Sequence, residues 1–308
     1  MISVALCTYN GEKYIRQQLD SILNQTMPVD EIVVHDDCSI DSTNSILEDY
    51  SKRFPQIKYT RNSYNHGFVK NFEEALNECQ GDFIFFSDQD DLWMKDKVEI
   101  SVQYLIESGM YGVFSDGLLI DHNNCNTGET LFSKLQLPLL IKEGLLDKFD
   151  FEILCLNGNY VTGATLAIVK EAKQLVLPFP FKYVYHDMWI ALRLSSIRKL
   201  GRIDQPLISY RIHNDQECGL EGVPKNKESL LKCFHGYGNL NFLIHERRFS
   251  VYSIYYCKLK KAARKRIFSV YNELYWKNVK KKCSIKAIMS FFLTEVIVFV
   301  KTKTGIRA

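Results

Sequence analysis

Residues 83–91 read FIFFSDQDD: four apolar positions, a serine, then three aspartates within four residues. A short apolar run closed by polar residues is the pattern of a strand buried on both faces, which belongs to a sheet covered by helices. Toward the N-terminus, residues 2–7 (ISVALC) and 31–35 (EIVVH) repeat the pattern, and 57–60 (IKYT) is a weaker copy. Between these runs apolar residues recur at helical spacing. Ile15, Leu19, Ile22 and Leu23 line one helix; Ile46 and Leu47 face inward from a second, which runs from the N-cap candidate Ser42 through Arg53. Val69, Phe72, Ala75 and Leu76 line a third, and a helix over 96–107 leads to a strand over 111–114. This alternation predicts an α/β fold, a mostly parallel sheet flanked by helices. Ligands bind such sheets beyond the carboxyl ends of the strands. Thr8-Tyr9, Asp36-Asp37 and Asp88-Gln89-Asp90-Asp91 are therefore expected along one rim.

The later chain is less regular. A polar loop over 121–128, helix within 131–151, a strand over 161–170, a helix over 185–200 and a strand over 206–212 are expected. From 225 onward the pattern is helical. The predicted organisation is one domain over 1–224, with halves 1–116 and 117–224, and a helical basic region over 225–308. With 46% apolar and 24% charged residues in 308, the chain is neither disordered nor fibrous. It has no run of about 18 apolar residues, so no transmembrane helix is expected. Met1 leads straight into the first strand without a basic stretch, and no signal peptide is expected. Nine cysteines without CxxC spacing read as reduced thiols of a cytoplasmic protein, not as a zinc or redox site. GxGxxG, GxxxxGK[ST] and Gx[ST]xG are absent, which disfavours dinucleotide, P-loop and α/β-hydrolase chemistry.

Asp88, Asp90 and Asp91 repel one another unless a cation sits among them. A Mg²⁺ or Mn²⁺ ion, which takes oxygen ligands, answers that need, whereas a helix cap would use only one carboxylate. Asp36-Asp37 suits either a turn or hydrogen bonds to a nucleobase or ribose. Tyr9 can stack on a base. Asp187, at a helix start, serves either as a cap or as the acceptor of a hydroxyl proton. His213 suits a metal or a phosphate, and Arg211 suits a diphosphate.

These segments resemble the family 2 glycosyltransferases, which have the GT-A fold. The likeness covers roughly residues 1–215 and is carried by 4–25 (VALCTYNGEKYIRQQLDSILNQ), 32–43 (IVVHDDCSIDST), 85–93 (FFSDQDDLW) and 185–192 (YHDMWIAL) with 210–213 (YRIH). The SDQDD and HDMW forms are similar to bacterial rhamnosyltransferases of surface polysaccharide synthesis. The resemblance implies an inverting transferase acting on a dTDP- or UDP-sugar, with a glycan or lipid-linked glycan as acceptor. It assigns Thr8, Tyr9 and Asp37 to the nucleotide-base pocket, Asp88 to the ribose, Asp90 to the metal and Asp187 to the general base, with His213 near the metal or diphosphate. Cys38 stands where the family has glycine, and His186 where it has glutamate. No QxxRW segment occurs, which argues against a processive synthase. Two rival readings are a nucleotidyltransferase, which would carry a Gly-rich loop after Cys7, and an inactive sugar-nucleotide-binding module.

Charge is uneven. Residues 258–308 hold 14 of the 39 Lys+Arg and 2 of the 36 Asp+Glu, a net +12, which leaves −9 on the body. Aromatic residues interleave with the basic ones up to Lys286, and 287–300 are nearly all apolar. That stretch falls short of the roughly 20 residues of a span and suits a helix lying in an interface. Peripheral binding to an anionic membrane, on its cytoplasmic face, is expected rather than nucleic-acid binding.

Overall fold

The computed structural model describes residues 1–135, 137–142, 146, 150, 154, 159–179, 185–213 and 216. All of them fall within one compact unit of the chain. The basic region from 225 to 308, with its expected helices and membrane-facing segment, lies outside the described residues.

The first half follows the apolar pattern. β1 (Ile2–Thr8) and β2 (Glu31–Asp36) are buried along their whole length, and β3 (Ile57–Arg61) forms the edge. The crossovers are α1 (Ile15–Leu23), α2 (Thr43–Arg53) and α3 (Phe68–Glu78). β4 (Phe83–Ser87) buries Ile84, Phe85 and Phe86 completely. Each such side chain contributes roughly 1.5–3 kcal/mol of burial. Ser42 precedes α2 as expected, but its side chain makes no capping bond. The Asp41 carboxylate accepts the Thr43 amide instead, at 3.0 Å.

Beyond β4 come β5 (Leu92–Trp93), α4 (Lys97–Ser108), β6 (Gly112–Ile120), β7 (Asn126–Thr130), α5 (Leu131–Lys134) and α6 (Leu137–Lys142). A 3₁₀ turn (Gly163–Thr165), β8 (Ala167–Val169), α7 (Lys170–Val176), α8 (His186–Ser196) and β9 (Leu200–Arg211) follow. Among the described residues one sheet runs β3-β2-β1-β4-β8-β6-β9-β5, with β7 paired to β6. β3, β2, β1 and β4 are parallel, as are β6 and β9. β8, β5 and β7 run antiparallel to their neighbours. The sheet is therefore mixed, its long ladders parallel as expected and its antiparallel ones short. The strand expected over 161–170 shortens to three residues, because Thr165 and Leu166 donate back to Thr162 and Gly163 and close the 3₁₀ turn. Among the described residues no helix is long and apolar enough to cross a membrane.

Strand order reverses between β1 and β4, the place where a crevice opens at the carboxyl edge. Register puts Leu6 beside Ser87 and Thr8 beside Asp36, so the polar segments that follow these strands share one rim.

Candidate active site

The wall nearest β1 and β2 is held by its own carboxylates. Asp36 is fully buried; it accepts the Thr8 hydroxyl at 2.8 Å and the Ser39 amide at 2.9 Å. This closes a tight turn in which Cys38 takes a left-handed φ of 66°. Asp37 is buried and holds the next loop, accepting from the Asn62 amide (2.9 Å), His66 N (2.7 Å) and Gly67 N (2.8 Å). Thr8 and Asp37 thus build the rim, while Tyr9 leaves its ring 43% exposed on it. Gln89 ties this wall to the acid loop through two bonds, accepting Tyr9 N at 2.9 Å and donating to Tyr9 O at 3.0 Å. Gly11 lets the Gln89 side chain approach, since a Cβ there would displace the Gln89 amide from this position.

The three aspartates of the acid loop point to different fates. Asp91 is buried, with Oδ1 accepting the Arg211 amide at 2.9 Å and Oδ2 without a partner. Burial and then the charges of Asp90 and Asp88 push its carboxyl well above the usual range. Asp88 is half-buried; burial, then Asp90 and Asp187, push it up to about 7. Asp90 meets His213 Nε2 at 2.8 Å. Among the described residues no three His, Cys, Asp or Glu side chains converge as a metal cage. The rim instead presents one carboxylate and one imidazole at a single point. That donor pair fits a Mg²⁺ or Mn²⁺ ion that draws its other oxygens from a diphosphate and water.

β9 delivers His213, and Arg211 shows how. Arg211 is fully buried beneath the rim. Its Nε donates to Asp90 O at 2.6 Å, and its terminal nitrogens donate to Asn124 Oδ1 (2.5 Å), Asp121 O (3.3 Å) and Gln17 Oε1 (3.2 Å). The guanidinium also stacks over Tyr14, 4.3 Å from the ring centre. The expected diphosphate contact is therefore corrected. Arg211 braces the acid loop from below, because its donors already meet protein oxygens.

Asp187 lies in the first turn of α8 and is half-buried. Oδ1 accepts the Met188 amide at 2.5 Å and Oδ2 the Gly163 amide at 3.2 Å. Burial pushes its carboxyl up to about 6 against these bonds and one from the Asn159 side chain. Such a carboxylate is ionised at neutral pH yet more basic than an exposed aspartate. Its charge is among those that raise Asp88, after burial and Asp90. His186 packs beneath it, stacked on Phe72 at 4.0 Å, and burial holds its pKa near about 3, so it is neutral.

Lys97 escaped the sequence reading, and Gln89 was expected on the rim but given no role. Lys97 is 1% exposed, donates to Ala164 O at 2.6 Å and lies 4.0 Å over the Trp93 ring. The signal was available: Lys97 falls in register with Val98, Ser101, Val102 and Leu105 on the buried stripe of α4.

A mixed sheet of this order, with carboxylates at its switch point, defines the GT-A fold of nucleotide-diphospho-sugar transferases. The comparisons agree. The profile for glycosyl transferase family 2 matches residues 3–125. The chain is 36% identical to TuaG of Bacillus subtilis (strain 168), named as a teichuronic acid biosynthesis glycosyltransferase, over 70% of this chain and 80% of that one. It is 29% identical to WfgD of Escherichia coli, a UDP-Glc:alpha-D-GlcNAc-diphosphoundecaprenol beta-1,3-glucosyltransferase, over 62% of this chain and 69% of that one. Among solved structures, Staphylococcus aureus TarS 1-349 in complex with UDP-GlcNAc superposes with a TM-score of 0.54 at 20% identity, covering 76% of this chain and 64% of that one. The chain belongs to glycosyl transferase family 2.

Proposed function

We propose that this protein is an inverting glycosyltransferase that moves a sugar from a dTDP- or UDP-sugar to a hydroxyl of a lipid-linked glycan in bacterial surface-polymer synthesis. The observation that carries this is Asp187, a carboxylate in the first turn of α8 that accepts the Met188 and Gly163 amides and is raised by burial to about 6. Thr8, Tyr9 and Asp37 receive the nucleobase, and Asp88 the ribose. Asp90 and His213 would hold a divalent cation, which when bound offsets the charge that develops on the departing diphosphate. Asp187 takes the proton of the acceptor hydroxyl, which attacks the anomeric carbon from the face opposite the diphosphate. One displacement inverts the configuration, and the diphosphate leaves without needing a proton. The relatives support this assignment: WfgD is named for a UDP-Glc donor and a diphosphoundecaprenol acceptor, and TarS was solved with UDP-GlcNAc. RfbG of Shigella flexneri, named as a dTDP-rhamnosyl transferase, is 38% identical over 33% of this chain, which keeps rhamnose among the donors.

A thermal-shift panel of UDP- and dTDP-sugars, each with Mn²⁺ or Mg²⁺, tests the reading. A true donor at 100 times its dissociation constant stabilises the protein by about 2.7 kcal/mol. No shift with any nucleotide sugar would sink the proposal. The basic region from 258 to 308 is assigned to an anionic leaflet, where each Lys or Arg contributes about 1 kcal/mol. Full-length protein should co-sediment with anionic but not neutral vesicles, and a chain ending at 257 should stay in solution. Equal behaviour of the two chains would remove the membrane role.

A further inference from the structure

Lys97 sits where a long cationic side chain is costly unless something requires it. It is buried in the first turn of α4, its ammonium packed on Trp93 and donating 2.6 Å to Ala164 O. Two sets of neighbours meet there. On one side is the acid loop, met through Trp93 of β5, which directly follows it and whose ring centre lies 4.0 Å from the ammonium; the charges of Asp91 and Asp88 act on Lys97 from there. On the other is the 3₁₀ turn Gly163–Thr165, whose first amide donates to Asp187 Oδ2 at 3.2 Å. The turn is buried against the sheet, and Phe86 N of β4 donates to Leu166 O at 3.1 Å just beyond it. Its internal bonds are short-range, from Thr165 N to Thr162 O at 3.0 Å and from Leu166 N to Gly163 O at 2.9 Å.

We propose that Lys97 is a positioning residue that couples the two halves of the site, its ammonium seated on Trp93 beside the acid loop while its hydrogen bond to Ala164 holds the turn that aims Asp187. The catalytic leg rests on the reading of Asp187 as base; the structural leg does not. Burial costs the ammonium enough to bring Lys97 down to about 7 in spite of the two aspartates, which fits a residue kept for geometry rather than stability.

Two variants separate the legs. Lys97→Met removes both the charge and the donor from a buried place packed on Trp93, so loss of stability is expected. Lys97→Met/Asp91→Asn removes the charge pair together, and should recover most of the melting temperature. The bond to Ala164 stays absent in both. In the double variant, hydrogen exchange at the Gly163, Thr165 and Leu166 amides should remain at least about tenfold faster than in the unaltered protein, the turn having lost its anchor. Turnover should remain about 10–100-fold lower at unchanged donor affinity, the usual cost of removing the support of a site residue. Exchange as slow as in the unaltered protein, or turnover that returns with the melting temperature, would overturn the proposal and leave Lys97 as a charge partner only. A double variant that does not fold would also overturn it, since Lys97 would then support more than the turn. If no donor is bound by the unaltered protein the function falls, while the exchange measurement still decides this inference.

Discussion

Asp90→Asn abolishes sugar transfer and leaves the protein folded. The Asp90 side chain is only 14% exposed, yet its structural contacts survive the change. Its main-chain oxygen still accepts Arg211 Nε, and an amide oxygen can still meet His213 Nε2, now 2.8 Å from the carboxylate. What disappears is one negative charge beside two carboxyls that it already pushes up. The variant should therefore melt no lower than the parent. Without that charge the imidazole alone cannot hold a hard divalent ion, which selects oxygen ligands. Circular dichroism and melting report the fold; product formation with and without EDTA reports the chemistry. Undiminished transfer by Asp90→Asn, or full activity of the parent in excess EDTA, would remove the metal-assisted mechanism.

Much of this site can be read from the chain because its strands are simple. β1, β2 and β4 are continuous apolar runs ended by polar residues, and both the order and the rim follow from that pattern. The second half resists the same reading for physical reasons. β5 has only two residues, too few to show a period, and exists because Leu92 and Trp93 pair with Ser209 and Ile208 of a strand over a hundred positions away. β9 begins six residues before its expected start, since Asp204, Gln205 and Pro206 interrupt the apolar pattern where the ladder shifts register. The antiparallel insertion of β8 between β4 and β6 leaves no mark in a three-residue segment.

Charged residues show the same limit. A sequence places three aspartates close together but not the direction in which each points. Asp91 turns inward onto Arg211 N, and Asp90 outward to His213. Arg211 invites a ligand role because arginine is a natural diphosphate partner. Burial and four protein acceptors give it a different one. Lys97 lies buried beside Trp93 next to the acid loop, and only its place on the buried stripe of α4 betrays it.

The second large effect concerns the base. Asp187→Asn keeps one acceptor oxygen, which can hold the Met188 amide at the start of α8, and gives up the longer bond from the Gly163 amide. It loses the ability to take a proton. A general base contributes about 10²–10⁴-fold, and turnover should fall by that much. In the parent the active form is the carboxylate, so turnover at saturating donor should fall as pH drops through about 6, the value to which burial raises Asp187. The Asn variant should lack that limb.

The most direct test of the account is donor affinity and turnover measured together, across pH, in the parent and in Asp187→Asn. The predicted result is unchanged donor affinity, turnover lower by about 10²–10⁴-fold, and an acid limb near 6 present only in the parent. Collapse of donor affinity in the variant, with parent turnover indifferent to pH through that range, would make Asp187 a binding or capping residue and contradict the account.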